Sequence, residues 1–297
     1  MSAADSYYGR PIVKEPVWQP EIPVYFFTGG LAGASAVLSA AARLAGNERL
    51  SKASLYIGAA ADLASPALLI SDLGRPERFL NMLRVFKPTS PMSVGSWVLF
   101  ISGGASNTQA LLELVGRLPR VKLAAEIVST LSGPPLATYT GTLLANTAIP
   151  AWSEARHDLP VLFGASAVAS AGAAAAIAVP PAEAGPARRL AIAGSLFENG
   201  VMTAMEHRLG FVGEPYKQGE AGRFARIAKG ATLGGAALLA ARGSRSRAAA
   251  VAGGTLILAG ELALRWSVFK AGFQSARDPR YTVIPQRERR ANASDPK

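Results

Sequence analysis

The stretch VYFFTGGLAGASAVLSAAA, Val24 to Ala42, carries no charged residue over nineteen positions. As a helix it would be about 28 Å long, close to the thickness of a bilayer's hydrocarbon core. Three more runs are equally free of charge: Met92 to Leu112, Ile127 to Ser153 and Leu159 to Pro181. Working outward from these, the apolar pattern predicts about eight helical spans, near 24–44, 53–71, 92–115, 122–148, 159–180, 188–208, 224–241 and 248–270. The seventh is the most polar, because Arg226 and Lys229 would have to snorkel. The expected fold is therefore an all-α integral membrane protein, with an extramembrane arm over 1–23, a helical domain over 24–270 and an extended tail over 271–297.

Composition agrees with this reading. Hydrophobic residues make up 49% of the 297-residue chain and charged residues 17%, with a mean hydropathy of +0.22. The formal charge of +11 does not point to nucleic acid, because basic and aromatic residues are not interleaved on one surface. Instead the charges punctuate the apolar runs. Loops near 45–52, 116–122, 181–189 and 242–247 share one face and, with their flanks, carry Arg43, Arg49, Lys52, Arg117, Arg120, Lys122, Arg188, Arg189, Arg242, Arg245 and Arg247 against Glu48 and Glu183. By the positive-inside rule that face is cytoplasmic, which puts both termini on the outer face with the loop that begins at Asp72. Met1 to Pro23 is polar and proline-punctuated, unlike a cleavable signal peptide.

The chain has no Cys, so it cannot itself hold Cys-ligated iron–sulfur clusters, thioether-attached haem or disulfides. Its two His, His157 and His207, fall in a loop and near a helix end, which does not suit a bis-His haem within the bilayer. Zinc or di-metal carboxylate sites lack their usual ligand spacing.

Ionisable groups inside spans are costly and are candidates for function. Asp62 lies mid-span and reads either as a carboxyl bonded to a neighbouring Ser or Thr or as a proton relay. Glu198 and Glu206, eight apart, share a helix side. Glu261 and Arg265, four apart, are expected to pair with each other. Pro134-Pro135 removes two amide donors and is expected to kink or break the fourth helix. Tyr139, one turn beyond, reads either as a packed core or interfacial ring or as a phenol able to donate to a quinone carbonyl. Tyr25, Phe26 and Phe27 read as an interfacial aromatic belt. Gly29-Gly30-Leu31-Ala32-Gly33 and Gly230-Ala231-Thr232-Leu233-Gly234 read as helix-packing segments. Asp72-Leu73-Gly74-Arg75-Pro76-Glu77-Arg78-Phe79 packs four charges around a turn where the second span ends.

That charged motif, with Pro23 to Gly33, Ser90-Pro91-Met92-Ser93, Tyr139-Thr140-Gly141, Ala151-Trp152, Arg265-Trp266, Ala271-Gly272 and Ser275 to Pro279, resembles the NrfD family, the membrane subunit of polysulfide reductase-type oxidoreductases. The motifs run in the family's order over nearly the whole chain. The resemblance implies eight helices in a bacterial or archaeal cytoplasmic membrane, no haem, and a quinone pocket (menaquinone or ubiquinone) near the outer face. It also implies a ferredoxin-like iron–sulfur subunit and a catalytic subunit, often of the molybdopterin type, as partners. By motif, Asp72 and Arg75 would line or brace the pocket and Tyr139 would face the headgroup. Early in the first helix, where the family often has a polar or imidazole group, this chain offers Tyr25 and Thr28. The implied chemistry makes Asp72 the near proton acceptor, held ionised by Arg75, with Asp62 or Glu198 as inner relays. Two other readings stay open: a proton-translocating module driven by quinone chemistry, and a structural anchor or small-solute transporter.

Overall fold

Each apolar run becomes a helix. The computed structural model describes residues 11–294 apart from Gly74, and the turn expected from that glycine lies outside the described residues. The eight long helices are α1 (Glu21–Leu44), α2 (Glu48–Asp72), α3 (Pro91–Val115), α4 (Pro119–Ala145), α6 (Leu159–Ala178), α7 (Gly185–Leu209), α9 (Gly219–Arg242) and α10 (Arg247–Arg277). Shorter helices α5 (Pro150–Glu154), α8 (Glu214–Lys217) and α11 (Arg280–Ser294), and 3₁₀ turns at Pro76–Leu83 and Gly210–Gly213, complete the order. Among the described residues there is no strand. By length and apolar composition α1, α2, α6 and α10 qualify as membrane-crossing.

Local chemistry sets the boundaries. Proline occupies the first turn of α3, α4, α5, α6 and α7, where its missing N–H costs nothing. The Asn47, Ser90 and Ser246 side chains cap α2, α3 and α10 by accepting from Leu50, Ser93 and Ala249 amides. Gly116, at φ 67°, ends α3 in the left-handed region that a residue with Cβ avoids.

The long helices form two antiparallel four-helix bundles, α1–α4 and α6, α7, α9 and α10, joined where α1 and α4 pack on α6. This topology gathers the arm, the Asp72 loop, α5, α8 and α11 at one end of the molecule.

Several expectations change here. Pro134-Pro135 leaves α4 unbroken. Thr138 Oγ1 donates to the Pro134 carbonyl at 2.9 Å, and α4 lies against α1 just before the prolines, where a Cβ on Gly133 would come within 2.5 Å of Gly33 O. Neighbouring backbone holds the helix through its weak turn. Gly230 and Gly234 face open space, whereas Gly235 packs on Gly253 O of α10, so the packing glycine stands one position beyond the quoted motif. Tyr25 and Phe26 are core residues, 3% and 1% exposed, and not an interfacial belt. The tail is helical: Tyr281 stacks on Phe211 at 5.0 Å and Val283 is buried, because α11 folds back on α5.

Candidate functional site

The arm, the ends of α1, α2 and α4 and the start of α3 enclose a cavity of about 290 Å³ at the loop-rich end of the first bundle. Its walls are largely apolar: Val17, Trp18, Ile22, Phe26, Leu69, Leu73, Met82, Met92 and Leu143. The polar groups on its walls are Tyr25, Asp72, Ser96 and Tyr139. Such a cavity suits a flat apolar molecule with one or two polar atoms.

Tyr139 is 9% exposed and its Oη is buried without a hydrogen-bond partner. A buried hydroxyl without a partner costs about 1–3 kcal/mol, and this one belongs to a residue of the cavity wall. Its ring fits because α3 carries Gly95, where any Cβ would overlap the ring. Asp72, the last residue of α2, accepts from the Gln19 backbone N–H at 2.7 Å through Oδ1. The Glu21 carboxyl lies near enough to act on the Asp72 charge, and its Oε2 is also buried without a partner.

Three of the expected pocket residues, Tyr25, Asp72 and Tyr139, therefore meet in one cavity. Arg75 does not join them. It is exposed, in extended conformation at φ −138°, and among the described residues makes no ion pair with Asp72. The Asp72 carboxylate is held by an arm amide instead of by the guanidinium. Thr28 stands one turn deeper than Tyr25 and shares a 2.8 Å hydrogen bond with Ser65 of α2.

Asp62 is 1% exposed and takes a 2.5 Å hydrogen bond from Ser106, the serine partner that a structural role predicts. Its Oδ1 nevertheless remains buried and unpartnered. Buried Ser102, Ser106 and Gln109 continue this polar line along α3, and Ser129 donates to Gln109 at 3.2 Å. The line reaches a second, polar cavity of about 160 Å³ at the opposite end of the bundle. There Lys52 and Lys122 clamp Glu113, and Arg43 pairs with Glu126 at 2.6 Å. Glu198 belongs to the other bundle and does not touch the Asp72 cavity. Among the described residues, Glu261 and Arg265 make no ion pair with each other. Arg265 lies 3.8 Å over the Phe163 ring and donates to Phe163 O at 3.1 Å.

What the sequence does not announce is that the arm covers the cavity. Trp18 stacks on Trp152 at 5.6 Å and edges Phe26, closing the cavity from above. Its only sequence signal is a tryptophan between Pro16 and Pro20 in a polar stretch. Arg277 fastens the same arm through a forked pair of bonds to Glu15, at 2.9 and 3.0 Å. That hydrogen bond, with the Arg277 charge, holds the Glu15 carboxyl below the ordinary carboxylate range. A carboxyl depressed in the folded state stabilises above its unfolded pKa, and the gain disappears as pH falls through the folded pKa. Glu15 is only half-buried, so the effect is small. The arm is expected to resist limited proteolysis at neutral pH and to loosen on acidification through the carboxylate range, with Glu15→Gln removing the pH dependence. Identical pH profiles for both proteins would reject this latch.

Compared with known proteins, the family described as polysulphide reductase, NrfD matches residues 12–204, from the arm through most of α7. No curated protein matches the chain.

Proposed function

The chain belongs to the NrfD, polysulphide reductase family, and from that premise we propose that it is a haem-free, multi-pass membrane subunit that exchanges electrons between the quinone pool and an iron–sulfur partner. The partner in turn serves a catalytic subunit. The observation that carries this reading is the unpartnered Tyr139 hydroxyl on the wall of a largely apolar cavity that also holds Asp72. With no Cys for a cluster of its own, the chain has to pass electrons to another protein. The eight helices would all span, with the termini and the Asp72 cavity on the outer face, facing the partner. In that arrangement residues 24–270 form the membrane domain and the arm and tail lie outside it.

A quinone, menaquinone or ubiquinone, supplies the two-electron, two-proton chemistry when bound. In this reading Tyr139 Oη donates to one of its carbonyl oxygens, and Phe26, Leu69, Met92 and Leu143 keep water from the ring. Asp72 takes up or returns a proton at its second carboxylate oxygen while the Gln19 amide fixes the first. The exposed Arg75 guanidinium, which does not line the cavity, is free to meet the partner. Thr28, hydrogen-bonded to Ser65 directly below Tyr25, and then Asp62 with the polar line of α3, would carry protons along the first bundle.

A photoactivatable quinone analogue tests the assignment. In the purified complex it is expected to label peptides that contain Tyr25, Met92 or Tyr139, with labelling lost when excess menaquinol competes. Labelling confined to other helices would overturn the assignment.

A further inference from the structure

The second bundle holds a different cavity, a crevice of about 250 Å³ between α7 and α9 that opens at the loop-rich end beside α8. Glu206 and Lys217 stand at its mouth, and Glu198 lies at its foot, 2% exposed and about halfway along α7. Among the residues along the crevice, Arg226 and Lys229 on α9 are exposed, and neither makes an ion pair among the described residues.

At the foot, Glu198 lies close enough to Glu261 on α10, which is fully buried, for the two carboxyls to act on each other. Glu261 Oε2 accepts from Ser166 of α6. Glu198 Oε2 and Glu261 Oε1 are both buried with no donor. Two neighbouring carboxylates buried in a protein repel each other when both are ionised, and one proton held between them supplies the donor that both unpartnered oxygens lack. Arg265, a turn further along α10, acts on both groups through space, so it balances the single charge that such a pair retains. Its Nε and Nη1 are themselves buried and unpartnered.

We propose that Glu198 and Glu261 form a proton-binding site that holds one proton between them and exchanges it with water through the crevice. The ligand set argues for a proton over a metal cation. No group of three or more His, Asp or Glu suited to a metal is found among the described residues, and two unpaired cations line the approach. The site is independent of the quinone pocket, which lies in the other bundle.

Infrared spectroscopy and carbodiimide labelling of the full chain in lipid nanodiscs test it. The wild-type spectrum is expected to contain a protonated-carboxyl band that shifts rapidly in deuterated water. Glu198→Gln and Glu261→Gln should each lose it, since the new amide donates to the remaining carboxylate. Dicyclohexylcarbodiimide, which adds to protonated carboxyls, should modify Glu198 or Glu261. Ala225→Phe, which narrows the crevice without touching either acid, should slow both deuterium exchange and labelling even if the Gln variants fold poorly. A band that survives in both Gln variants, or adducts found only elsewhere, would overturn the proposal. So would protection from labelling by sodium chloride but not by choline chloride, which would make this a sodium site.

Discussion

Asp72→Asn is expected to reduce quinone-dependent turnover of the assembled complex by about 10²-fold or more, the usual contribution of a positioned acid or base. Electron transfer from the catalytic subunit to a soluble dye should be unchanged. The variant separates chemistry from architecture, because the Asn Oδ1 can still accept the Gln19 amide that the carboxylate accepts at 2.7 Å. The arm therefore stays docked while the titrating oxygen is lost. Tyr139→Phe makes the complementary change, removing an unpartnered hydroxyl and leaving the ring that Gly95 accommodates. It should raise the KM for quinone more than it lowers kcat. Unchanged quinone turnover in Asp72→Asn would remove Asp72 from the mechanism.

The second large effect is structural. A Cβ on Gly272 would come within 2.5 Å of Trp152 Nε1, and that indole cannot move aside. Trp152 is fully buried, donates to Val268 O at 2.7 Å and stacks on Trp18. Its short helix is further held by Tyr216, whose hydroxyl donates to Ala151 O at 3.0 Å. Overpacking of this kind costs about 3 kcal/mol, and Gly272→Ala is expected to lower the apparent melting temperature in detergent by roughly 5 °C. Gly234→Ala is the control: no atom lies within 4 Å of its added methyl, so its melting temperature should hold or rise slightly. Equal effects of the two substitutions would contradict the packing described for α5 against α10. Because Trp152 positions Trp18 over the cavity, Gly272→Ala should also weaken quinone binding.

Periodicity and charge marked every long helix to within a few residues, except that α2 and α9 begin five residues earlier and α10 runs on to Arg277. The early starts of α2 and α9 are polar helical turns, which hydropathy does not detect, and the α10 extension, Ala271 to Arg277, mixes small and polar residues that become helical once neighbours bury them. The Asp72 motif was legible because a cluster of charges at the end of an apolar run is conspicuous. Its partner was not. The family motif suggested Arg75, three residues away, whereas the bond comes from Gln19, fifty-three residues earlier. Backbone amides are the same at every position, so no pattern of side chains can announce which one will cap a carboxylate. Glu261 shows the same limit: spacing offers Arg265 one turn away, while packing brings Glu198 from another helix.

By itself, then, the sequence determined an all-helical membrane chain, the approximate limits of its helices, the absence of thiol-bound cofactors and the few ionisable groups placed where lipid would oppose them. These follow from local energetics, the cost of exposing apolar residues to water and charges to hydrocarbon. Only the tertiary structure decided that Tyr25, Asp72 and Tyr139 share a cavity, that the arm closes it through Trp18, and that Glu198 stands with Glu261 in a separate bundle. Those relations depend on how helices cross, and the crossings are set by contacts such as Gly33 on Gly133 and Gly235 on Gly253, between residues far apart in the chain.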